Sequence, residues 1–201
     1  MFFEPSKGDH GLPRNPFTAL VAPRPIGWIS TVSASGQRNL APYSFFNALS
    51  SVPPIVAFSS TGPKHSLKNV EETGAFIVNI VSEPLAAVMN ATSIEVDEAV
   101  DEFELVGLRS EPGRIVPVPR VSEAKAALEC LHVRTVRLAT ADGRDLDAWL
   151  VIGEVVGIHI DESVLTDGFV DMAKLVPVAR LGYLDFAVVR ETFSMARPVV
   201  P

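Results

Sequence analysis

Cysteine is nearly absent from this chain, and that scarcity is the first constraint. A lone thiol, Cys130, forms no intrachain disulfide, which fits a reducing cytoplasm. It lies in an apolar run, where a buried structural thiol is the simpler reading than a nucleophile. No uninterrupted apolar stretch approaches the length of about 18 residues that a membrane-crossing helix needs. The first sixteen residues, MFFEPSKGDHGLPRNP, lack a basic segment followed by an apolar run, so no export signal is expected. Nucleic acid is an improbable partner, because 17 Lys and Arg against 24 Asp and Glu leave a net charge of −7, and the basic residues are scattered. Charged residues make up only 20% of the chain, too apolar a mix for extended disorder.

Several catalytic signatures are missing as well. No Gly-x-Ser-x-Gly elbow marks a hydrolase, and no Gly-x-Gly-x-x-Gly turn follows a strand. The segment around Lys64 is not a Walker A loop, which needs Gly-x4-Gly-Lys-Ser/Thr. No two histidines share the i, i+4 spacing of a zinc protease, and Cys130 with His132 is too small a set, so no metal is expected. His159 ends an apolar strand before Asp161 and Glu162. An exposed strand-end histidine is the plain reading, and a catalytic proton donor the alternative.

What is present is β-rich. With 201 residues and 47% hydrophobic content, the chain suits one domain, read here as an N-terminal arm over 1–16 and a domain over 17–201. Strands are predicted at Ile26–Val32, from Asn39 to Tyr43, Ile55–Ser60, Ala75–Val81, Ala127–Ala139, Ala148–Ile160 and Tyr183–Val189. Asp142-Gly143 joins the two long ones as a hairpin. A helix is predicted from Pro63 to about Glu72, stopped by Gly74, with short helices over Pro84–Ala91 and Asp97–Phe103. Residues 107–122 read as an irregular excursion. Strands in hairpin order without strand–helix–strand repeats predict a mainly β, antiparallel barrel with a few peripheral helices.

Two segments have the composition of a ligand site. Ala41-Pro42-Tyr43-Ser44-Phe45-Phe46-Asn47 sets small polar groups beside aromatics, a wall suited to a flat heterocycle with a polar edge, or simply a turn with core aromatics. Ser59-Ser60-Thr61-Gly62-Pro63-Lys64-His65-Ser66 puts hydroxyls and a lysine where a strand ends and a helix begins. Free backbone amides and the helix dipole there suit a phosphate. A helix start capped by Thr61, with Lys64 solvated, accounts for it equally well.

The run Pro23-Arg24-Pro25-Ile26-Gly27-Trp28-Ile29-Ser30-Thr31, followed by Asn39-Leu40-Ala41-Pro42-Tyr43-Ser44-Phe45-Phe46-Asn47 and Pro53-Pro54, resembles the flavin reductase-like, FMN-binding split β-barrel family, in its flavoredoxin-type branch. Weaker matches continue through Met89-Asn90-Ala91-Thr92, Glu129-Cys130 and Arg180-Leu181-Gly182. The resemblance implies a Greek-key split barrel, a cytoplasmic homodimer, and FMN near the dimer interface. FAD fits as well, since its adenylate half could extend into solvent. By resemblance, Trp28 flanks the flavin, and Ser44, Phe45 and Asn47 line ring and ribityl chain. Ser59, Lys64, His65 and Ser66 hold the phosphate, with Asn90 and Thr92 nearby. His65 stands where the family often has an acid. The implied activity is hydride transfer from NAD(P)H to bound flavin; a flavin-binding electron carrier or flavin store is the alternative.

Overall fold

The computed structural model describes residues 1–198; the last three positions of the domain expected to run to 201 lie outside the described residues. The main sheet has seven strands: β1 (Gly27–Val32), β2 (Arg38–Tyr43), β3 (Phe46–Ser51), β4 (Pro54–Thr61), β5 (Ala75–Ile80), β6 (Ala126–Ala139) and β7 (Asp145–Ile160). Helix α1 (His65–Thr73) packs on β1, and helix α2 (Ala86–Ala91) lies beside β2. Every pairing in the sheet is antiparallel, in the order β2-β1-β5-β6-β7-β4-β3.

The two edges of that sheet, β2 and β3, are consecutive in the chain and joined by only Ser44-Phe45. Such a connector spans at most about 10 Å, so the sheet must curl until its edges approach. The Ser59 amide donates to the Phe45 carbonyl at 2.8 Å and ties the connector to β4. The result is a split barrel, nearly closed and sealed by side chains where the ladder stops. Its interior holds Ile29, Tyr43, Phe58, Phe76, Val78, Cys130 and Val151. Phe58 packs on Tyr43 and Phe76, with ring centroids 4.7 and 5.4 Å apart.

A second core lies on the outer face of β1, where Trp28, Leu40, Val81, Met89 and Phe103 pack together. Strand β1 is thus buried on both faces, its Ser30 and Thr31 included. In the first core, a Cβ on Gly153 would lie 2.4 Å from Cζ of Phe76. Gly153→Ala is therefore expected to destabilise by about 2–3 kcal/mol, read as a lower midpoint in urea with unchanged slope.

Four elements differ from the sequence reading. Strand β3 is an addition to it; its residues are mostly exposed and show no apolar alternation. Residues 107–122 contain a small hairpin, Ser110–Pro112 against Pro119–Val121. The helix expected over Asp97–Phe103 forms only at Glu102–Leu105, because the Asp101 carboxylate caps the Phe103 and Glu104 amides and fixes the start there. The strand expected over Tyr183–Val189 is confined to Phe186–Val188. Helix α1 ends as expected at Gly74, which takes φ 75°.

Candidate functional site

Three adjoining concavities run along the outside of the barrel at the β2–β3 split. The first, about 290 Å³, lies between β2, the start of α1 and residues 92–96; Tyr43, Lys64, His65, Ser66 and Thr92 line it. The second, about 400 Å³, is lined by Pro42, Ser44, Asn90, Ser93 and Arg180. The third, about 610 Å³, is lined by Arg24, Ser44, Phe45, Asn47 and Ser59. Pro42 and Ser93 belong to both the first and the second, and Ser44 to both the second and the third. They therefore form one furrow with Lys64 at one end and Phe45 at the other.

The Lys64 end meets the start of a helix. Helix α1 begins at His65, later than Pro63, and Lys64 is its N-cap with no side-chain cap. Thr61 does not cap the helix: it is the last residue of β4. The first turn of a helix has amides with no carbonyl inside the helix to meet them. Here the amides of His65 and Ser66 sit at the cavity wall, with the positive end of the helix dipole behind them. The Lys64 ammonium contacts the exposed Glu95 carboxylate at 3.2 Å. An exposed pair of this kind contributes little and leaves the lysine available.

Deeper in the same cavity the groups are fixed. Ser66 is buried and its hydroxyl accepts from the Asn39 side-chain amide at 2.9 Å. Tyr43 is 8% exposed, and its buried hydroxyl lies beside the hydroxyls of Ser60 and Ser66. Burial raises the phenol above its ordinary pKa and keeps it a neutral donor. Burial likewise raises the Glu102 carboxyl on the far wall, against the opposing hydrogen bond from the Leu40 amide at 2.9 Å.

Trp28 does not flank the furrow. Its side chain is fully enclosed in the outer core, and the indole Nε1–H donates to the Thr92 hydroxyl at 2.9 Å. Thr92 in turn donates to the Met89 carbonyl at 2.8 Å at the end of α2. Trp28 thus positions the Thr92 wall from behind. Thr92→Val would leave the indole N–H buried and unpaired, with an expected loss of about 1–3 kcal/mol in chemical denaturation.

The other expected residues divide along the furrow. Ser44, Phe45, Asn47 and Ser59 share the third concavity, while Asn90 reaches only the second. Asn47 spends its side-chain oxygen on the Ala48 amide at 2.9 Å. His159 lies apart from all of them. Its Nε2 donates to Glu129 Oε1 at 2.5 Å, beside the loop 113–118 and away from the furrow. Glu129 is buried and also accepts from the amides of Arg114, Ile115 and Val116 at 2.7–2.8 Å. Burial alone would raise its carboxyl, but those amides and His159 outweigh it and hold the pKa at about 2.

Sequence reasoning did not single out Tyr43, Arg24 or Arg180 as site residues. Tyr43 and Arg24 lie inside the quoted motifs, but an aromatic there reads as core and an arginine as surface. Cys130 is buried and inert, its thiol pushed up chiefly by burial. Among the described residues no cluster of His, Cys, Asp and Glu could hold a metal, and no helix is long and apolar enough to cross a membrane.

A curled antiparallel sheet whose two edges are consecutive in the chain, with an open furrow beside them, defines a split barrel. The family described as flavin reductase like domain matches residues 20–177, and the chain belongs to that family. A relative of unassigned function from Deinococcus radiodurans is 40% identical over 194 residues, covering 90% of this chain and 82% of that one. Among solved structures, nitrilotriacetate monooxygenase component B from Bacillus cereus superposes with a TM-score of 0.88 at 29% identity, covering 97% and 98% of the two chains. Flavoredoxin of Desulfovibrio vulgaris (Miyazaki F) superposes with a TM-score of 0.77 at 26% identity, covering 87% of this chain and 91% of that one.

Proposed function

We propose that this protein is an FMN-dependent oxidoreductase of the flavin reductase type, taking hydride from NAD(P)H onto flavin held in the furrow. The observation that carries this reading is the uncapped start of α1, where Lys64, His65 and Ser66 line one cavity. The residues present fit a flavin monophosphate. The amides of His65 and Ser66, with the Lys64 ammonium, would take the phosphate. Ser44 and the half-exposed Phe45 would border the ring, leaving one face open to a second ligand. His65, in place of an acid, puts no negative charge beside the phosphate.

The redox chemistry itself is the flavin's, which accepts a hydride at N5 and passes its electrons on. What the chain contributes is binding and orientation. Nothing in the furrow is required as a nucleophile, in keeping with the missing triad motifs. FAD would be accommodated if its adenylate lay in solvent. A cytoplasmic homodimer belongs to the same proposal. From Val133 onward β6 has only β7 as a neighbour among the described residues, and Val133, Val136 and Leu146 there are exposed. Such a surface suits a second copy.

The test is steady-state oxidation of NADH and NADPH with FMN present. Turnover well above the free-flavin background is the expected result. Tightly bound flavin without turnover would favour an electron carrier or flavin store, the reading that similarity to flavoredoxin supports.

A further inference from the structure

Arg24 and Arg180 stand directly opposite each other in the antiparallel pair between Arg24–Pro25 and Val178–Arg180. Like charges opposed across a strand pair repel. Arg38, Arg109, Arg120, Arg137, Arg144 and Arg190 each hold a carboxylate. Among the described residues neither Arg24 nor Arg180 does. Arg24 is 8% exposed and spends its guanidinium on the carbonyls of Thr18, Val21 and Leu181. Its Nε is buried with no partner. It cannot turn away to relieve the repulsion. Burial first, and the charge of Arg180 second, hold it below the ordinary arginine range.

Arg180 is the accessible member of the pair. It lies over the Phe186 ring, 4.4 Å from the centroid, donates to the Tyr183 carbonyl and lines the middle concavity. Arg24 lines the neighbouring concavity beneath Phe45, 5.7 Å from that centroid. Ser44 is common to both. Uncompensated positive charge thus meets the exposed apolar surfaces of Phe45, Leu184 and Phe186 at mid-furrow. A cleft of one sign of charge concentrates ligands of the other.

We propose that Arg180, backed by Arg24, is the docking residue for an oxyanion on the ligand that meets the flavin: a carboxylate or pyrophosphate attached to an apolar ring. The flavin's presence beside that ligand rests on the proposed function; the anion site stands on the arginine pair alone. The guanidinium offers a planar fork of donors, and the surrounding rings cover the body of the ligand.

The experiment is isothermal titration of the full chain, with and without FMN, using sodium pyrophosphate and sodium benzoate at constant ionic strength. The wild type, Arg180→Gln and Arg180→Lys are compared. One probe saturates the wild type, Arg180→Gln weakens it by about tenfold or more, and Arg180→Lys recovers part of the loss. The urea midpoint of Arg180→Gln stays close to wild type, which shows the fold is intact; should that variant not fold, Arg180→Lys carries the comparison. Pyrophosphate as the better probe points to a dinucleotide, benzoate to an aromatic acid. Neither probe saturating, or equal affinity in wild type and variants, overturns the proposal. Anion binding without any FMN binding would instead overturn the flavin reading and leave this one standing.

Discussion

Lys64→Ala will weaken FMN binding by about 10- to 100-fold while leaving riboflavin binding nearly unchanged. The reason is geometric. Lys64 supplies the ammonium on the cavity wall at the start of α1, and the carboxylate it holds there, Glu95, is exposed. Riboflavin lacks the phosphate, so it has nothing to lose there. A flavin fluorescence titration of both ligands against both proteins gives the answer. Raising salt should narrow the difference for FMN, because the contact is electrostatic and partly exposed. Equal losses for the two ligands would place the phosphate elsewhere.

How much of this is legible in the sequence differs from residue to residue. The strand-to-helix junction at 59–66 is visible as a cluster of hydroxyls and a lysine, but the same letters allow a self-capped helix. The structure starts the helix at His65, so Thr61 is not its cap, while Lys64 is half-exposed as that second option has it. Ser44 and Phe45 are legible as a wall, whereas their reason for being at the site is not. They join the two edges of a curled sheet, a property of strand order that no local pattern records. Trp28 misleads for a related reason. Its motif marks it as special, yet the strand carrying it is buried on both faces, so the indole faces the outer core and acts through Thr92. Arg24 and Arg180 are far apart in the chain and meet only through a pairing of two short strands.

Glu129→Ala is the second large effect, and it falls on stability. The buried carboxylate gathers three backbone amides and the His159 ring, so truncation strands three donors in the loop that follows Gly113. The expected cost is about 3–5 kcal/mol. For a chain of this length that corresponds to roughly a 10 °C fall in the thermal midpoint. Because the folded-state pKa of about 2 lies below the ordinary carboxylate value of 4.5, this contribution is complete above about pH 4.5 and drains away as pH falls toward 2. Wild-type stability should therefore drop through that window, and Glu129→Gln should show a shallower drop. Parallel curves for the two proteins would mean that Glu129 is not the group responsible. FMN affinity should survive both changes at a temperature where the variants are folded, since neither Glu129 nor His159 borders the furrow.

The claim on which everything else rests is that the furrow at the β2–β3 split holds a flavin. Its most direct test is an absorption spectrum of the purified protein after incubation with FMN and removal of free flavin. The account predicts a yellow protein whose bound chromophore, released and weighed by mass spectrometry, is FMN, with visible bands altered from those of free flavin. A protein that stays colourless under the same treatment would contradict it.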